Sequence, residues 1–110
     1  MNIPTPAEVH TLAVYKGWYD PPAPTAMELL ALVHSEVSEA VEELRDPKGW
    51  RSRIRHREDG KPEGLPFELA DIVLRVFDLA DHIGVDIEAA IDEKHCYNAT
   101  RPHRHGGKLR

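Results

Sequence analysis

Two pairs of acidic residues have the spacing of one helical turn: Glu36 with Glu39 and, after 28 intervening residues, Glu68 with Asp71. Residues three apart on an α-helix stand on the same side, so each pair aims two carboxylates in one direction. If the two helices face each other, four anions meet. Such a group cannot stay fully ionised when partly buried, and a hard divalent cation resolves the repulsion. Mg²⁺ takes oxygen ligands and keeps several waters, which leaves coordination positions for phosphate oxygens. No well-placed Glu-x-x-His pair is present to make a di-iron bundle site; His34 precedes Glu36 by two residues and points elsewhere. The competing reading makes Glu-x-x-Glu an ordinary solvated helix face and Asp71 with Arg75 a surface ion pair.

The second pair resists that competing reading because of the helix that carries it. Phe67, Leu69, Ala70, Ile72, Val73, Leu74, Val76, Phe77, Leu79 and Ala80 cover most of the circumference. The remaining polar residues, Glu68, Asp71, Arg75, Asp78 and His82, form one stripe at steps of three, four, three and four. A helix apolar on nearly all sides must be buried nearly all round. One small bundle cannot provide that cover, so a partner chain is expected and the protein is read as a homo-oligomer.

Four helices are legible and no strand is. Thr5, with Pro6 and Glu8 after it, is a capping box that starts the first helix, which runs to about Gly17. Asp20-Pro21-Pro22-Ala23-Pro24 cannot be helical. Thr25 and Glu28 repeat the start signal for a second helix, and Leu30, Val33, Val37, Val41 and Leu44 form its expected buried face. Asp46 before Pro47 ends it. Residues 46–64 are expected to be a long, flexible basic loop. The third helix begins near Pro66 and stops before Gly84; Asp86 caps a fourth that runs to about Ala99. The fold class expected is all-α, a four-helix bundle-like antiparallel arrangement in one domain over residues 1–110, with a basic tail at 101–110.

With 110 residues and a net charge of −5 the chain fits one soluble domain. No apolar run is long enough to cross a membrane, and the N-terminus lacks the pattern of a signal peptide. The single cysteine, Cys96, excludes an internal disulfide and a Cys-based zinc site within one chain and suits the cytoplasm. Charge is distributed in blocks: −6 over residues 1–44, +4 over 45–61, −8 over 62–93 and +5 over 94–110. Bulk acidity makes nucleic acid an unlikely partner. The blocks either neutralise one another in the fold or divide the work, with acids holding a cation and bases meeting phosphate.

Glu36-x-x-Glu39, the 28-residue spacer and Glu68-x-x-Asp71 resemble the signature of MazG-like nucleotide pyrophosphohydrolases, of the all-α NTP pyrophosphatase superfamily. LLALVHSEVSEAVEELR looks like the family's first motif helix and KPEGLPFELADIVLRVFDLA like its second. EKHCYNATRPHRHGGK resembles the segment in which a lysine and an asparagine four apart touch substrate or metal. Together these cover roughly residues 25–108. The resemblance implies a MazG-type fold and Mg²⁺-dependent hydrolysis of NTP or dNTP between the α and β phosphates, giving a monophosphate and pyrophosphate. It implies Mg²⁺, replaceable by Mn²⁺, on Glu36, Glu39, Glu68 and Asp71, and a dimeric or tetrameric assembly. It places Lys94 and Asn98 on the substrate side, with Arg101 sharing their helical face. Phosphoryl transfer needs positioning and charge stabilisation rather than covalent help, and a second-helix glutamate, Glu36 or Glu39, is expected to be the general base. The alternatives are a phosphoribosyl-ATP pyrophosphohydrolase, or a non-catalytic helical oligomer that binds metal or a partner. Trp18 and Trp50 are open to stacking on a base or to plain packing, and the basic loop to closing over the triphosphate or staying solvated. His103 and His105 in the tail make no convincing metal site.

Overall fold

The computed structural model describes residues 2–102. Its elements are α1 (Pro6–Tyr15), α2 (Ala26–Leu44), a 3-10 turn (Trp50–Arg53), the strands β1 (Arg55–His56) and β2 (Pro62–Glu63), α3 (Leu65–Ile83) and α4 (Ile87–Thr100). The described chain is therefore mostly helical, as the sequence indicates, and the four helices begin and end close to where their caps require. The Thr5 hydroxyl accepts from the Glu8 amide at 3.1 Å, and Glu8 accepts from the Thr5 amide at 2.9 Å. Thr25 and Glu28 make the same reciprocal pair at 3.1 Å each way. A capping side chain contributes about 1 kcal/mol, and a backbone donor on each glutamate pulls its carboxyl below the usual range. At the end of α3 Gly84 takes the left-handed conformation, φ 78°, and the Val85 amide returns to the Ala80 carbonyl at 2.8 Å. Asp86 then accepts from the Ala89 amide at 3.0 Å and starts α4.

α3 is the hub, packed against both α1 and α2. α2 and α3 run antiparallel: Glu39 meets Glu68 near the start of α3, whereas Glu36 meets Arg75 two turns along it. α4 leans only slightly on α3 and buries none of its residues. The single chain is thus a three-helix packing with a fourth helix attached, rather than a closed four-helix bundle. Its radius of gyration is 16.8 Å, where a compact chain of this length has about 13 Å.

The expected buried face of α2 needs correction. The buried residues of α2 are Leu29, Glu36 and Ala40, with Val33 half-buried between them. Leu30, Val37, Val41 and Leu44, expected inside, are exposed. The helix turns its acidic stripe toward α3 and leaves its apolar stripe outward. α3 fully buries only Leu65 and Ala80 among its residues, and Leu69 and Val73 are about half exposed, in keeping with the expectation that one small bundle leaves part of this helix uncovered.

The 46–64 segment, expected to be loop throughout, holds the 3-10 turn and a small antiparallel hairpin in which Arg55 faces Glu63 and His56 faces Pro62. The Arg57 amide donates to the Lys61 carbonyl at 2.9 Å and closes the turn. Three of its arginines meet acids close by: Arg53 with Asp46 at 3.1 Å, Arg55 with Glu63 at 3.5 Å and Arg57 with Asp59 at 3.4 Å. Local neutralisation therefore accounts for much of this basic block. Gly64, at φ 125°, joins the hairpin to α3. A Cβ there would lie 3.0 Å from Ile54 Cα and 3.2 Å from the Arg53 carbonyl oxygen, so only glycine lets the chain pass and begin α3 at this point.

Candidate metal centre

Three of the four carboxylates expected to converge do so. Glu36, Glu39 and Glu68 each present an oxygen within 4.8 Å of the others. Position and burial differ among them. Glu36 is 8% exposed, Glu68 half-buried and Glu39 exposed. One oxygen of Glu36, Oε1, accepts from Arg75 Nε at 2.7 Å. Its other oxygen, Oε2, is buried without a hydrogen-bond partner, as is Oε2 of Glu68. Unpaired buried carboxylate oxygens are costly. Two of them in one acidic cluster fit an oxygen-seeking cation, and the all-oxygen donor set suits a hard one. Glu43, one turn beyond Glu39 on α2, has a third such oxygen.

Asp71 lies beside this group without belonging to it. Burial raises its pKa first and the charge of Glu36 next, while Arg75 and Lys61 act in the opposite direction. Glu68 carries the largest consequence of the crowding. Burial, a hydrogen bond with Glu39, and the charges of Glu39, Asp71 and Glu36, in that order, push it up to about 7. The centre is therefore short of positive charge even with Arg75 in place.

Arg75, which the competing reading would make a surface partner of Asp71, reaches across to α2 and pairs with Glu36. Its place in the α3 stripe was the available signal, because a cation one turn past Asp71 on that stripe must face whatever the acids face. Beside the centre a cleft of about 520 Å³ runs along α3 from Asp71 through Leu74 and Arg75 to Asp78. Glu36 contributes to the same wall, and Leu12, Leu29 and Leu32 give it an apolar lining. Trp18 and Tyr19, in the turn after α1, also line it. Trp18 thus sits where a ring could stack, whereas Trp50 is covered by the Arg51 guanidinium at 4.3 Å.

Lys94 and Asn98 are placed apart from the acids. They border a shallow depression on α4 with Ile87, Ala90, Ile91 and His95, and neither lines the α3 cleft. The Lys94 ammonium lies 5.1 Å from the Tyr97 ring centre, and Arg101 lies 5.5 Å from the same ring. His103 and His105, with most of the basic tail, fall outside the described residues. No helix among the described residues is long and apolar enough to cross a membrane. Compared with protein families, with curated proteins and with solved structures, the chain finds no match.

Proposed function

We propose that the chain is a Mg²⁺-dependent nucleoside triphosphate pyrophosphohydrolase of the MazG-like kind, acting as a homo-oligomer. The observation that carries this reading is the meeting of Glu36, Glu39 and Glu68 from two antiparallel helices, with buried, unpartnered oxygens on Glu36 and Glu68. Glu36, Glu39 and Glu68 are the residues to hold the cation, with Asp71 adjacent to complete the set. When bound, Mg²⁺ neutralises the phosphoryl oxygens on which charge builds in the transition state.

The protein's own groups supply the rest. Arg75 keeps Glu36 oriented through its Nε and presents its guanidinium to the cleft. Glu39 is exposed, so water reaches it, whereas Glu36 is buried and engaged by Arg75. Glu39 is accordingly the better placed of the two to take the proton of the attacking water. That water's oxygen attacks the α phosphorus, the bond from it to the bridging oxygen breaks, and pyrophosphate leaves in line. The apolar cleft beside the acids accommodates the nucleoside. Lys94, Asn98 and Arg101 keep a substrate-facing role in this reading, with assembly of several copies bringing α4 to the site.

The test is a panel of NTPs, dNTPs and phosphoribosyl-ATP incubated with purified protein and Mg²⁺. Monophosphate and pyrophosphate are the expected products, and Glu39→Gln is expected to abolish them. No cleavage anywhere in the panel overturns the enzymatic reading and leaves a metal-binding or partner-binding helical oligomer.

A further inference from the structure

The α3 stripe does not end at Arg75. Asp78 and His82 continue it for two more turns, and the reaction proposed above uses neither. Asp78 Oδ1 lies 2.7 Å from His10 Nδ1 on α1, and its Oδ2 accepts from the Tyr19 hydroxyl at 2.7 Å. The two partners are 68 and 59 residues away in sequence. The side chains of Asp78 and His10 are only 15% and 19% exposed. The His10, Tyr19 and His82 rings pack against one another edge-on or tilted, with centres 4.6 to 5.4 Å apart. Burial and the Asp78 hydrogen bond keep the Tyr19 phenol protonated well beyond neutral pH, so it remains a donor.

One carboxylate therefore fastens two segments to α3: α1, and the turn that carries Trp18 and Tyr19. Those segments contribute one wall of the cleft, while Glu36 and Arg75 join the α2 and α3 sides of it. A planar ring sandwiched between two walls needs them about 7 Å apart, one carbon contact on each face. A wall held by charge-assisted hydrogen bonds can keep that spacing, and α1, a ten-residue helix that fully buries none of its residues, gains most from such a hold.

We propose that Asp78 is a positioning residue: through His10 and Tyr19 it sets the α1 wall at the width that the aromatic ring of a phosphorylated ligand requires. It governs which ligands the carboxylate centre accepts, not how fast that centre cleaves them. The ligand part of this inference rests on the pyrophosphohydrolase reading; the clasp itself rests on geometry alone.

The experiment compares wild type with Asp78→Asn and Tyr19→Phe, by amide hydrogen exchange over residues 6–20 and by steady-state kinetics on the best nucleotide. For Asp78→Asn, exchange in α1 should speed up and KM should rise about tenfold, the effect of losing one charged hydrogen bond. The value of kcat and the Mg²⁺ affinity by calorimetry should stay within about twofold of wild type. Tyr19→Phe keeps the ring and loses one arm, so its KM should rise less, in the same direction. Unchanged α1 exchange in a folded Asp78→Asn protein overturns the clasp. Faster exchange with unchanged KM overturns the positioning role, and so does a fall in kcat accompanied by loss of Mg²⁺ affinity. If wild type cleaves no nucleotide, the proposed function falls separately, and α1 exchange alone decides for or against the clasp.

Discussion

Glu68 stands where burial and three neighbouring carboxylates oppose its ionisation, and its pKa of about 7 has a sign that can be followed. In the unfolded chain the group titrates near 4.5. Between those two values the folded protein holds a proton that the unfolded chain has lost. Without metal, its contribution to stability is full below about 4.5 and is lost as pH rises through about 7. Asp71, also raised, adds to the same trend. The metal-free protein should therefore melt several degrees lower at pH 8 than at pH 5, and Glu68→Gln should flatten that slope; calorimetric scans across pH check both. Cation binding runs the other way, since metal and proton compete for one carboxylate. Mg²⁺ affinity by titration calorimetry should rise from pH 6 to pH 8, with proton release on binding below about 7. Arg75 is the remaining counter-charge. Arg75→Met should destabilise the metal-free protein by about 1–2 kcal/mol, a partly exposed charged hydrogen bond being worth less than a buried one. Adding Glu36→Gln should recover most of that loss, which a double-mutant cycle in urea would show.

The elements bring these residues together, and Gly64 is the joint on which α3 depends. Gly64→Ala puts a Cβ against Ile54 and the Arg53 carbonyl at a backbone angle that L-residues avoid. It should cost about 1–3 kcal/mol, and since Glu68 lies one turn into α3, Mg²⁺ affinity should weaken as well. Urea denaturation and calorimetry on the same variant separate the two effects. The helix ends were legible because Thr5, Thr25, Gly84 and Asp86 act within four residues of themselves. Turn spacing also made legible that Glu36 and Glu39 share one side of α2 and Glu68 and Asp71 one side of α3; that those sides face each other is set by packing between the helices, which no local signal announces. The hairpin was not legible, because strands of two residues are too short to show alternation. The inner face of α2 was misread because two stripes compete on it, and hydrophobicity favours Leu30, Val37 and Val41 over Glu36. Packing around a charged centre reversed that order. Pairs such as Glu36 with Arg75, or Asp78 with His10 and Tyr19, span 39 to 68 residues, and nothing local announces them.

At the scale of the whole molecule, the same reversal leaves apolar surface outside. Leu30, Val37, Val41 and Leu44 on α2 and Leu69 and Val73 on α3 are all exposed by 43% or more. Among the described residues no large side chain is fully buried. Soluble monomers rarely display contiguous apolar patches beyond a few hundred Å², and α4 has no inner face of its own to help close the core. An assembly of copies would cover the α2 stripe and give α4 something to pack against. Light scattering at micromolar concentration should give a mass that is a multiple of 12.4 kDa; a single 12.4 kDa species excludes this arrangement. Val41→Asp places a charge in the middle of the stripe and should shift the population toward monomer. Glu36, Glu39 and Glu68 all come from one chain, so monomeric Val41→Asp should still bind Mg²⁺ with near wild-type affinity. Nucleotide turnover should fall with the oligomer, because Lys94 and Asn98 do not line the cleft in the single chain. Loss of Mg²⁺ binding together with the oligomer would instead mean that the centre is completed between subunits, and full turnover by the monomer would remove α4 from the site.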